Sequence, residues 1–95
     1  MIYSHTIYIP RTYTDVVDEL TDGLTEVYGG CTVYDAGGMW KAGHKNYVTE
    51  AIRVINVITG YSHTPDHFML AAAELKSRGE ESVLMTQQGI DTKFE

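Results

Sequence analysis

Between Tyr28 and Glu50 the chain reads YGGCTVYDAGGMWKAGHKNYVTE, and the glycine pairs in that stretch constrain the fold more than any other feature. Gly29-Gly30 follows a helical pattern, where a residue without Cβ takes the left-handed conformation that closes a helix. Gly37-Gly38 interrupts an alternating pattern, which predicts a β-bulge or a close approach by a ligand or another backbone. Gly43-His44-Lys45-Asn46 supplies the turn of a hairpin. One helix must stop and one hairpin must form within this segment.

The flanking periodicities complete the order. Tyr3 to Ile9 sets His5, Ile7 and Ile9 against Ser4, Thr6 and Tyr8, a first strand ended by Pro10. From Thr14 the period becomes helical through Val16, Val17, Leu20, Leu24 and Val27, with Thr14 or Asp15 as N-cap. Asp15, Asp18, Glu19, Asp22 and Glu26 form its solvated face. Cys31 to Asp35 is a second strand, continued past the glycines by Met39-Trp40-Lys41. Tyr47 to Ile58 is a long third strand, apolar on both faces toward its end, so one face should meet the helices and the other is a candidate subunit interface. Thr64-Pro65-Asp66 opens a second helix with a cap, a first-position proline and an acid; Phe68, Ala71, Ala72 and Leu75 are its stripe and Gly79 its stop. Ser82 to Gln88 is a fourth strand, and the residues after Gly89 read as a tail or edge extension.

This order predicts an α+β fold, a ferredoxin-like βαββαβ sandwich with a four-stranded antiparallel sheet and two helices on one face. Residues 1–95 make one small domain that gains from self-association, so a homo-oligomer, a trimer, is expected.

Charge narrows the partners. The net charge is −6, and Arg11, Lys41, Lys45, Arg53, Lys76, Arg78 and Lys93 are scattered, which argues against nucleic acid. An acidic surface suits a neutral or cationic small ligand better. A lone Cys31 indicates a reducing, cytoplasmic setting. Neither a long apolar run nor a signal pattern is present, so no membrane partner is expected.

Glu50 is the leading candidate for chemistry. It shares a strand face with Val48 and Ile52, where burial would raise its pKa and make it a base or a counter-charge for a cation. The bland alternative pairs it with Lys41 or Lys45 across the strands. Tyr28, Tyr34, Trp40 and Tyr47 form an aromatic group suited to stacking on a purine or enclosing a cation, or to plain strand packing. His63 precedes the second helix and does not share a helical face with His67, so no metal site is expected. The glycine pairs match neither GxGxxG nor the Walker pattern. No cofactor is implied.

Tyr28, Gly29, Asp35, Gly38, Trp40 and Lys41, then Glu50 and Arg53-Val54, give the stretch from Val27 to Val54 its character. In these residues the chain resembles the phage-encoded S-adenosylmethionine lyases, first described as hydrolases. The resemblance implies four strands and two helices assembled into trimers with sites between subunits. It implies S-adenosylmethionine as substrate, methylthioadenosine and homoserine lactone as products, and a host-cell cytoplasmic location. Glu50 would be the catalytic residue, holding the substrate ammonium or offsetting its charge. Tyr28, Tyr34, Asp35, Gly38, Trp40 and Tyr47 would bind substrate. The chain departs from the family at Thr49, where the family has glutamate, and at Trp40, where it has tyrosine. The alternative is a non-catalytic phage protein that sequesters a signalling nucleotide between subunits, or one that inhibits a host partner.

Overall fold

The computed structural model describes residues 1–44 and 46–91. Its elements are β1 (Ile2–Pro10), α1 (Thr14–Tyr28), β2 (Thr32–Lys41), β3 (Tyr47–Thr59), α2 (Asp66–Ser77) and β4 (Met85–Ile90). The strands form one antiparallel sheet in the order β2-β3-β1-β4, the ferredoxin-like arrangement that the periodicities predict.

The register assigns every strand residue to a face. Ile7 lies opposite Ile55 and His5 opposite Val57, so the odd-numbered residues of β1 and β3 share one face. On it Ile7, Ile9, Ile55 and Val57 pack with Val16, Val17, Leu20 and Leu24 of α1 and Phe68, Ala71 and Leu75 of α2. Each fully buried side chain of this size contributes roughly 1.5–3 kcal/mol. His5 is also buried there, and its Nε2 is satisfied by the Thr59 hydroxyl at 3.1 Å and the Tyr61 carbonyl at 2.9 Å. The even-numbered residues form the second face, which no helix covers. On that face Val54 is nonetheless buried between its register partners Tyr8 and Tyr34, and Ile52 is buried beside it.

The helices begin differently from the expectation. Neither Thr14 nor Asp15 caps α1: Tyr13 occupies that place without a side-chain bond, and its carbonyl receives the Val17 N–H at 3.1 Å. Asp15 instead binds Arg78 at the end of α2, a cation from another element that competes for the same carboxylate. In α2, Pro65 takes the cap position rather than the first turn, and its carbonyl accepts from Phe68 and Met69. Gly29, at φ 85°, closes α1 as expected, and its N–H reaches the Thr25 carbonyl at 2.9 Å. Inside α1, Gly23 leaves room for the His67 ring of α2, whose Nε2 would lie 2.7 Å from a Cβ at that position.

Two strand assignments also change. The Gly37-Gly38 pair makes no bulge, because β2 pairs one-to-one with β3 from Thr32 to Lys41. β4 starts at Met85 rather than Ser82 and runs through Gly89 to Ile90. The preceding segment is held differently: the Tyr8 N–H donates to the Leu84 carbonyl at 3.1 Å outside the ladder.

Candidate functional site: the base of the hairpin ribbon

Pairing of β1 with β3 ends at Pro10↔Ile52, whereas β2 and β3 stay paired from Gly37↔Ala51 out to Lys41↔Tyr47. The outer hairpin is therefore a two-stranded ribbon that projects past the sheet. Its large side chains are open to solvent, with Met39 65%, Tyr47 67% and Val48 47% exposed. A lone two-stranded ribbon is marginally stable in water, so these residues call for a covering surface.

At the base of the ribbon, on the uncovered face, Glu50 stands opposite Gly38. Because Gly38 has no side chain, the indole of Trp40 lies back over it. A Cβ there would meet Trp40 ring carbons at 3.0 and 3.2 Å and would collide with the Ile52 Cδ1. The close approach expected at this glycine is made within the chain by two side chains, those of Trp40 and Ile52. The Trp40 Nε1–H donates to the Glu50 Oε2 at 2.9 Å. Lys41 alternates to the opposite face, so the expected Glu50–Lys41 pair does not form. Lys45, the other expected partner and a residue of the expected turn, lies outside the described residues.

A cleft of about 560 Å³ opens between this point and the segment Gly79–Leu84. Ile52 and Tyr8 line it from the sheet, Trp40 and Glu50 from the ribbon, and Glu80 and Glu81 from the segment. The segment is tied down by the Tyr8–Leu84 backbone bond and by the Tyr13 hydroxyl, which donates to the Glu80 Oε1 at 2.9 Å. That bond to a carboxylate holds the Tyr13 phenol above its ordinary pKa of 10.0. Sequence reasoning missed Tyr8, Glu80 and Glu81. The only signal was the acid pair after the helix-stopping Gly79, and nothing local says that it crosses beside the sheet.

The remaining expected site residues do not converge here. Tyr34 is on the uncovered face, further along β2 beside Val54. Asp35 is on the helix-side face, 2.7 Å from the Arg53 Nε and 3.5 Å from an Arg11 nitrogen. The Arg53 Nε–H is not aimed at the carboxylate despite the short distance, so the pair is a charge contact rather than an aligned hydrogen bond. Tyr47 sits at the outer end of the ribbon on the same side as Asp35. Tyr28 ends α1 and packs against the core. His67 packs on Gly23 while His63 stacks on Tyr61, and no group of three or more metal-ligating side chains gathers among the described residues.

No protein-family model matches the sequence, and no curated protein matches it. Solved structures match in fold. A divalent cation tolerance protein, Cut A1, from Thermus thermophilus superposes with a TM-score of 0.64 at 13% identity, over 99% of this chain and 88% of that one. The divalent ion tolerance protein CutA1 from Ehrlichia chaffeensis gives 0.64 at 11%, over 99% and 85%. The GlnK–ATP complex of B. subtilis gives 0.65 at 11%, over 92% and 81%. At such identities the likeness is one of fold.

These neighbours overturn the resemblance to the S-adenosylmethionine lyases, and with it the lyase activity, the substrate and the phage assignment. The physical reason is visible in the register. The residues that carried the resemblance were adjacent in sequence, but strand alternation sends Asp35 and Lys41 to one face and Gly38, Trp40 and Glu50 to the other. Glu50 is half-buried at an open cleft, and among the described residues its carboxylate is engaged by an indole rather than by a second titratable group.

Proposed function

We propose that the chain is a non-catalytic small-ligand-binding protein that works as a homo-oligomer, its ligand held at the base of the hairpin ribbon near where copies meet. The carrying observation is the ribbon itself, which extends beyond β1 with Met39, Tyr47 and Val48 uncovered. The uncovered sheet face continues from it through Trp40 and Tyr34, both about half exposed. Packing against further copies gives the ribbon the partner surface that one subunit lacks, and it would enclose the adjoining cleft. The number of copies expected from the sequence is three.

The fold neighbours support this reading at its own level. One of them is a complex with ATP and others are named for tolerance of divalent cations, so the same architecture serves proteins concerned with small ligands and ions.

The test has two parts. Light scattering should give a mass that is a multiple of the 10.6 kDa subunit. A thermal-shift panel of nucleotides, organic amines and divalent cations should then find a stabilising compound that chromatography recovers chemically intact. A monomer that binds nothing in the panel, or a ligand recovered as products, defeats the reading.

A further inference from the structure

We infer that the cleft between the ribbon base and the Gly79–Leu84 segment is a site for a small organic ammonium ion, a methylated or alkyl-substituted amine. The inference rests on the ligand-binding reading above and names the ligand's chemical class.

The cleft combines three properties. Its volume of about 560 Å³ lies within the range of small-molecule sites, and it far exceeds a bare metal ion. Its floor is apolar: Ile52 is 5% exposed, and Tyr8 and the half-exposed Trp40 indole stand beside it. Its charged lining among the described residues is Glu50, Glu80 and Glu81, with neither Lys nor Arg. The nearby Arg78 is already engaged by Asp15 and Glu74.

Each property removes a competing class. A nucleotide triphosphate would meet three carboxylates and, among the described residues, no cation; the guanidiniums of Arg11 and Arg53 lie on the other face of the sheet around Asp35. A divalent metal needs several oxygen or nitrogen ligands on one point, and no such group forms among the described residues. A neutral apolar ligand would leave the carboxylates without a counter-charge as it displaces their water. An organic ammonium satisfies all three surfaces: its carbon groups cover Ile52, its charge faces the carboxylates, and the aromatic quadrupoles of Trp40 and Tyr8 add to the attraction. The Trp40–Glu50 hydrogen bond fixes both groups in place before the ligand arrives, which lowers the ordering cost of binding.

Trp40 is the one tryptophan in the sequence, so its emission reports on this cleft alone. The full chain is titrated with choline and, separately, with 3,3-dimethylbutanol, which has the same shape without the charge. Choline should shift the Trp40 emission saturably, with half-saturation at or below about 1 mM, and the neutral isostere should bind at least about tenfold more weakly. Glu81→Gln, a change in an exposed segment, and Glu50→Gln should each weaken choline binding by about fivefold. Glu26→Gln, on the exposed side of α1, should leave it unchanged. Equal binding of choline and its neutral isostere, or no saturable shift with choline, overturns the inference. If another compound from the panel still binds intact, the ligand-binding reading stands without it; if nothing binds, both fall.

Discussion

The indole N–H of Trp40 reaches back along its own strand and donates to Glu50 at 2.9 Å, over the space left by Gly38. The pair fixes an aromatic face and a negative charge side by side on the uncovered sheet face. Trp40→Phe keeps a ring over Gly38 and removes the donor. It should lower stability by about 0.5–1.5 kcal/mol in urea unfolding. No measurable change would show that the bond is fully replaced by water.

Gly38 and Gly37 are neighbours with opposite expected behaviour. A methyl at Gly38 collides with Ile52 and the Trp40 ring, so Gly38→Ala should cost about 1–3 kcal/mol. Nothing lies within 4 Å of a Cβ at Gly37. Gly37→Ala should therefore be neutral or stabilising by about 0.4–1 kcal/mol through the unfolded chain. Denaturant midpoints of the two variants, run together, check the pair. Equal effects would mean that the Trp40 ring does not rest on Gly38.

The ribbon offers a direct test of assembly. Val48 is 47% exposed in the single chain, so Val48→Glu should change the stability of an isolated subunit by no more than about 0.5 kcal/mol. If copies cover the ribbon, the same change buries a charge and the mass should fall toward 10.6 kDa in light scattering. An unchanged oligomer would move the interface elsewhere.

The two helices are joined by a pH-sensitive link. Arg78 donates two hydrogen bonds to Asp15, at 3.0 and 2.6 Å. Those bonds hold the Asp15 carboxyl below its ordinary value of 3.8. A carboxyl with a folded pKa below its unfolded one contributes stability above the unfolded value and loses it as pH falls through the folded one. Asp15→Asn should therefore lower the melting temperature at about pH 7, with the gap to wild type closing below about pH 4. The gap should be small, since both groups are solvent-exposed. A gap independent of pH would show that the asparagine acts through helix propensity rather than charge.

Local pattern by itself determined the succession of elements. The two-residue period of His5, Ile7 and Ile9, the helical period of Val16, Val17, Leu20 and Leu24, and Gly29 as a stop depend on neighbours within one or two turns, and each holds. The ferredoxin-like sheet then follows from connection rules acting on that order. Tertiary structure decided what the side chains do. Asp15 was legible as a cap, but Arg78 from the end of α2 captured it; Gly38 was legible as a close approach, but the approaching groups proved to be Trp40 and Ile52. Glu50 could be singled out in the sequence, yet its partner, its openness to solvent and the proximity of Glu80 and Glu81 depend on a distant segment that crosses beside β1. Short-range order is set by backbone sterics and periodic burial, which a sequence displays. Which groups meet across the sheet is set by strand register and by the path of the connections, which no single segment contains.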